Sequence, residues 1–149
     1  MTGITRREFG TFVGATALAA LPLPAIAARN KADLAASKGP RIVVLGGGWS
    51  GLSIAKYLKQ ADNTLDVVMV ERRKSFFSLP LSNLWLGGLI EKAKLSYRFE
   101  DAAKLGGYTY FNASMTELDR DKRRIQTDKG WIDYDVLVLA PGVEYDYAS

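Results

Sequence analysis

Cysteine and histidine are both absent from this chain of 149 residues. Without cysteine, these residues can form no disulfide, thiolate zinc site or thiol nucleophile. Without histidine, the commonest metal ligand and the usual general base are gone as well. Long apolar runs are also missing. The one candidate, Phe12 to Leu21, contains Gly14 and Thr16 and is closed by Pro22 and Pro24. It is too short and too weak to cross about 30 Å of hydrocarbon, so no transmembrane segment is expected. Excess charge is scarce: 20 Lys and Arg against 16 Asp and Glu leave +4. Such a surplus is too small and too scattered to argue for nucleic acid. What remains is an ordinary globular mixture, 48% hydrophobic and 24% charged, with room for one core. A stretch so equipped works by binding.

The first 27 residues read as an address label. Arg6 and Arg7, followed by Glu8 and Phe9, precede the mild apolar run, and Ala25-Ile26-Ala27 ends it. A positive start, a short apolar middle and a small-x-small ending make an export signal. The paired arginines give it the twin-arginine form, which predicts a periplasmic protein exported already folded. Residues 28–40 then read as a small polar linker, closed by Gly39-Pro40.

From Arg41 onward the pattern changes. Arg41–Leu45 has the composition of a strand buried on both faces. Gly46-Gly47-Gly48-Trp49-Ser50-Gly51 follows at once. Leu52, Ala55 and Leu58 then recur at helical spacing through Gln60, with Ile54 and Tyr57 widening the apolar face. Asp62-Asn63 ends that helix, and Leu65 to Val70 is a second apolar strand closed by Glu71. This is βαβ order with the glycines where a dinucleotide needs them. Gly46 permits a tight turn, Gly48 lets backbone approach a pyrophosphate, and Gly51 lets the helix pack closely on the strand. Free N–H groups at the helix start would face the diphosphate. Glu71, about 20 residues beyond Gly51, stands where a carboxylate can accept from ribose hydroxyls. That carboxylate disfavours a ribose 2′-phosphate, which argues against NADP. Arg72-Arg73 either offsets the repulsion or is a plain solvated turn. The turn itself leaves NAD and FAD both open.

The continuation selects FAD. A plain NAD domain would soon enter another helix and strand, whereas here an aromatic and apolar loop carries Phe76, Phe77 and Trp85. A short helix is expected over Ser82–Leu86. Such a segment can wall a flat ring system, or its aromatics can simply be core. Phe99–Leu105 reads as a further helix ending at Gly106-Gly107, and Tyr108–Phe111 as a strand. Ser114–Asp119, Arg123–Thr127 and Trp131–Tyr134 are strand candidates joined by charged turns, a small antiparallel meander. Val136–Leu139 returns as an apolar strand. Ala140-Pro141-Gly142 ends it, either as a second close backbone approach or as a simple turn. The fold class is therefore α/β: a Rossmann-like FAD/NAD(P)-binding domain over residues 41–149, with a parallel sheet and a small meander.

These residues resemble the two-dinucleotide-fold flavoproteins of the pyridine nucleotide-disulfide oxidoreductase superfamily. The likeness is greatest to the flavoprotein subunits of flavocytochrome c sulfide dehydrogenases, relatives of the sulfide:quinone oxidoreductases. Its carriers are Val43 to Gly51, Ala55-Lys56-Tyr57, Leu81-Ser82-Asn83, Gly87-Gly88 and Tyr134 to Gly142. The resemblance implies an FAD site in which Gly46, Gly48, Trp49, Ser50 and Gly51 form the diphosphate loop and Glu71 holds the adenosine ribose. Arg72 would lie beside the adenine, with backbone near Met115 at its edge. Ser82 and Asn83 would border the flavin end, and Ala140, Pro141 and Gly142 would close the adenosine side.

Two departures from that family matter. Its flavin-tethering cysteine is matched here by Leu79, so FAD is expected to be non-covalent. Its redox cysteine pair and its second dinucleotide-type domain have no counterpart in these residues. The resemblance implies the FAD-binding, amino-terminal part of an exported oxidoreductase. That enzyme would take electrons from a reduced sulfur compound and pass them to a c-type cytochrome or quinone. The alternatives are an NAD-dependent oxidoreductase domain and a non-catalytic FAD-binding fragment.

Overall fold

The computed structural model describes residues 30–143 and Asp146. The export signal read over residues 1–27 lies outside the described residues. Strand β1 (Arg41–Leu45) is the centre of a parallel sheet. It pairs on one side with β2 (Asp66–Val70) and on the other with β9 (Val136–Leu139). Beyond β2 lies β5 (Thr109–Phe111), giving the order β5-β2-β1-β9. The helix between β1 and β2, α1 (Trp49–Ala61), is the crossover that a parallel pair requires.

The strands read as unbroken apolar runs because both faces are covered. Ile42 and Val44 of β1, with Val67 and Met69 of β2, pack against Ala55 of α1 and against Phe99 and Ala103 of α3 (Phe99–Gly106). The alternate residues, Val43, Val68 and Val70, point the other way, onto Ile125 and Ile132. Those two belong to the meander β6 (Met115–Asp119), β7 (Arg124–Thr127) and β8 (Gly130–Asp133). The meander anticipated from the sequence thus covers the face that helices cover in a doubly wound sheet.

Each helix stops for a local reason. Past the end of α1 the Asp62 carboxylate accepts from the Thr64 N–H at 2.8 Å and the Thr64 hydroxyl at 2.6 Å, turning the chain toward β2. Gly107 ends α3 in the left-handed region, φ 72°. At the start of the sheet, Arg41 is buried. Its Nε lies 2.6 Å from Asp66, and its backbone N–H donates to Asp135 at 2.6 Å. One side chain and its backbone thereby tie β1 to the starts of β2 and β9.

Two features depart from the sequence reading. The aromatic loop after Glu71 contains strand β3 (Ser75–Phe77), paired antiparallel with β4 (Ser96–Arg98), with Phe76 opposite Tyr97. The helix α2 (Ser82–Leu86) sits between them in sequence, as expected. The polar linker before Arg41 is docked in part. Lys31 bridges Trp131 in parallel, Ala32 donates its N–H to the Trp131 carbonyl at 2.9 Å, and Ala32 is buried.

Phe99 is the keystone of the helix-side core, fully buried and stacked on Tyr110 with centroids 5.5 Å apart. Phe99→Ala should cost about 3–5 kcal/mol, because transfer and cavity terms add at such a site. Urea unfolding measures this, and a loss below about 1 kcal/mol would contradict the packing described.

Candidate functional site

The parallel register sets the site. Leu45 pairs with Val70 and with Leu139, so three strands end level with one another. The chain must leave β1 there and enter α1 without a collision. Gly46 does so at φ 103°, a conformation L side chains rarely adopt. A Cβ on Gly46 would also lie 2.1 Å from the Ala140 carbonyl oxygen. The Ala140 N–H donates to the Leu45 carbonyl at 2.8 Å, which holds the end of β9 against the turn.

Gly51 has a different reason. Its Cβ would stand 1.9 Å from the Gly46 carbonyl oxygen, so only glycine lets α1 rest on the turn. The first bond into the helix runs from the Leu52 N–H to the Gly48 carbonyl, 3.0 Å. Helix geometry then leaves the N–H groups of Trp49, Ser50 and Gly51 pointing out of the open end. No acidic side chain sits in that first turn, so the positive end of the helix dipole is unopposed by the helix itself. Gly48 caps the helix at an ordinary φ of −71°, and a Cβ there meets nothing within 4 Å. This turn is crowded beneath and open above at Gly48, as expected where something outside the protein approaches the backbone.

Glu71 follows β2 directly and is buried. Its Oε2 accepts from the Gly47 N–H at 2.8 Å, and its Oε1 from the Arg73 N–H at 2.8 Å and Arg73 Nε at 3.1 Å. Burial pushes its pKa up. The hydrogen bonds from Arg73 and Gly47, with the charge of Arg73, outweigh that and hold the carboxyl below its ordinary value.

A cleft of about 370 Å³ opens beside these groups. Five of the residues anticipated from the sequence line it: Gly46, Glu71, Arg72, Met115 and Pro141. Ala140 lies beneath, against Gly46, and Gly142 follows Pro141 at φ 78°. Gly48, Trp49, Ser50 and Gly51 adjoin at the start of α1 without lining this cleft. Ser82 and Asn83 lie apart from it, on α2, where Trp85 meets Phe77 edge-on at 6.1 Å. Trp49 is exposed and meets Phe76 edge-on at 5.0 Å.

Sequence reasoning passed over several participants. Gly47 is buried, and a Cβ on it would lie 2.6 Å from the Phe99 ring and 2.9 Å from the Glu71 side chain. The middle glycine of three carried no separate signal. Asn112 donates from Nδ2 to the Glu71 carbonyl at 3.1 Å and to the Arg72 carbonyl at 2.9 Å. Only the tertiary pairing of β5 with β2 brings it there. Arg73 was legible only as half of a basic pair. Among the described residues no cluster of carboxylates could hold a metal ion. No helix among them is long and apolar enough to cross a membrane.

A family model described as pyridine nucleotide-disulphide oxidoreductase matches residues 40–147. The type II NADH:quinone oxidoreductase of Staphylococcus haemolyticus is 28% identical over 106 residues, 70% of this chain and 26% of that protein. Among solved structures, the sulfide:quinone oxidoreductase of Aquifex aeolicus superposes with a TM-score of 0.68 at 22% identity, over 74% of this chain and 26% of that one. That likeness concerns the fold. Reduced Bacillus anthracis CoADR-RHD gives 0.65 at 25% identity, covering 74% and 22%. The chain thus spans about a quarter of the length of the relatives it matches. These matches bear out the α/β dinucleotide-binding fold and the superfamily. The narrower likeness to flavocytochrome c is not what they name.

The depressed Glu71 pKa carries a sign. Its stabilisation is fully present above the ordinary value of 4.5 and is lost as pH falls through the lower, folded value. Glu71→Gln removes that contribution. The stability gap between parent and variant should therefore be widest at neutral pH and narrow steadily on acidification below about pH 4. Urea midpoints across the pH range measure this, and a gap that widens toward acid would refute it.

Proposed function

The chain belongs to the pyridine nucleotide-disulphide oxidoreductase family, and from that premise we propose that it is the FAD-binding part of an exported flavoprotein oxidoreductase. The observation that carries the proposal is the pairing at the strand ends. Backbone at Gly48 is open to approach beside a free helix start, and a buried carboxylate at the tip of β2 lies against a lined cleft. That donor set suits a dinucleotide. Backbone N–H groups of Trp49, Ser50 and Gly51 would take the diphosphate, and Glu71 the ribose hydroxyls. Arg72, Met115 and Pro141 would flank the adenosine, with Ser82 and Asn83 toward the flavin end.

When bound, FAD supplies the electron-carrying chemistry. The chain's own residues bind it, orient it and shield one side of it. Nothing at Leu79 can form a thioether, so retention rests on the diphosphate loop, Glu71 and the walls of the site. Acid precipitation of the flavin-loaded protein should release all FAD into the supernatant. Flavin fluorescence on the denatured polypeptide band would overturn the non-covalent reading.

Gly48→Val separates binding from folding. The added side chain has room in the protein but fills the approach to the backbone. Stability should change by no more than about 1 kcal/mol, the scale of a changed helix cap, while flavin is lost. A yellow variant at parental occupancy would refute the phosphate-loop assignment.

For the electron path we favour a reduced sulfur donor, on the likeness of Leu81-Ser82-Asn83 and Ala140-Pro141-Gly142 to sulfide dehydrogenases. A quinone is favoured over a c-type cytochrome as acceptor. Quinone appears in the names of both the Staphylococcus relative and the Aquifex structure. The former also names NADH, which makes NADH the second reading for the donor. Anaerobic addition of sulfide should bleach the flavin of the complete protein; bleaching by NADH alone would establish the second reading instead. Export rests on Arg6 and Arg7. Replacing both with Lys should hold the precursor in the cytoplasm, and undiminished periplasmic protein would refute the twin-arginine route.

A further inference from the structure

Arg73 belongs to none of the roles assigned above, yet it grips Glu71 through three separate nitrogens. Its backbone N–H and its Nε both donate to Oε1, and its Nη2 reaches Oε2 at 3.4 Å. The residue is itself anchored from β5, because the Tyr110 hydroxyl donates to the Arg73 carbonyl at 2.5 Å. Asn112 holds the carbonyls of Glu71 and Arg72 in the same turn. The turn after β2 is therefore clamped from one side while its carboxylate bonds the glycine turn on the other. The guanidinium remains half exposed at the cleft edge, and Arg73 lines that cleft with Glu71.

We propose that Arg73 is a positioning residue for the dinucleotide: it holds Glu71 charged and fixed between the glycine turn and the cleft, so that the ribose diol meets an acceptor. This inference rests on the flavin reading above. Removing the guanidinium takes away a hydrogen bond and a charge that favour the ionised acid, leaving burial, which favours the neutral form, opposed only by the backbone N–H groups of Arg73 and Gly47. A protonated carboxyl loses acceptor capacity just where the Gly47 N–H and a ribose hydroxyl both need it.

Other groups facing Glu71 do not replace Arg73. Arg72 lies on the same turn and is exposed, with its carbonyl rather than its side chain tied down. From β5, Tyr110 holds its proton more tightly than usual: burial, helped by the negative charges of Glu71 and Glu100, outweighs the hydrogen bond with Asn112. From α3, Glu100 is paired with Arg98. Lys129, from the β7–β8 turn, is spent on the Asn112 carbonyl. From the β1–α1 turn only the Gly47 N–H reaches the carboxylate.

The test is a titration of FAD into the ligand-free full chain, read by flavin fluorescence from about pH 5 to about pH 8, for the parent, Arg73→Gln and Arg73→Lys. Arg73→Gln should bind within about twofold of the parent at the basic end and should weaken toward the acid end at a higher pH than the parent does, about tenfold for each unit that the pH falls below its own Glu71 pKa. Arg73→Lys, which restores the charge, should recover most of the loss at the acid end. A loss equal at every pH in either variant, or no loss in Arg73→Gln at any pH, overturns the proposal. Should the Gln variant fail to fold, Arg73→Met takes its place, with the same outcomes supporting or refuting the proposal. A parent chain that binds no FAD overturns the flavin reading and this inference with it, an outcome distinct from a parent that binds and a variant that does not respond to pH.

Discussion

One backbone carbonyl, that of Gly46, governs where everything else can stand. A side chain on Gly51 would come within 1.9 Å of it, so α1 can descend onto the turn only because Gly51 has none. Gly46 itself faces Ala140 on its other side, where a Cβ would lie 2.1 Å from a second carbonyl oxygen. Two missing side chains thus join β1, α1 and β9 at a single point. The helix is aimed by this contact, since its axis follows from the carbonyl it must rest on. Its unsatisfied N–H groups then face outward over strand ends that the parallel register has already made level.

The electrostatics of the site follow from that placement. A buried carboxylate beside a helix start would ordinarily compete with an incoming anion for the same positive end. Glu71 avoids the competition by bonding the Gly47 N–H, one residue before the helix cap, and Arg73 on its own turn. The N–H groups of α1 itself stay uncommitted to it. The site therefore offers two adjoining chemistries, backbone donors and a carboxylate acceptor, which in the proposed reading would take a diphosphate and a diol. An acceptor carboxylate at the second position discriminates against a phosphate placed there. Exposed Arg72 and Arg73 soften this without reversing it, because one of them is already engaged with the acid.

Much of this was legible in the residues. The Val-rich runs of β1, β2 and β9, the glycine turn and the terminal acid form one local pattern, and local patterns survive reading. The helix Ser82–Leu86 and the three meander strands were likewise marked by their turns and alternation. Strands β3 and β4 were not. Each is three residues long and finds its partner some 20 residues away, too short for any period to declare itself. The docking of Ala32 was hidden for a related reason: one alanine in a polar stretch carries no signal until Trp131 offers it a carbonyl to bond. Gly47 and Asn112 needed tertiary neighbours, Phe99 and the β2 tip respectively, before their roles could be seen.

The unanticipated β3 strand also sets how the glycine turn and the segment bearing Ser82 and Asn83, the two ends of the proposed flavin site, are kept apart. Neighbouring residues on a strand point to opposite sides. Phe76 turns inward, edge-on to Trp49 at the start of α1 and to Phe99 beneath the glycine turn. Phe77 turns the other way and meets Trp85 of α2, over which Lys92 also lies. Three residues of strand therefore separate the glycine turn from the segment bearing Ser82 and Asn83. They also tie each to its own aromatic contacts, Phe76 to Trp49 and Phe99, and Phe77 to Trp85. Movement of α2 relative to the glycine turn would have to break one of these edge contacts or the β3–β4 pairing. The separation between the two ends is a property of packing, with no covalent staple required. A ligand spanning both would find its span set in advance, which lowers the ordering cost of binding it.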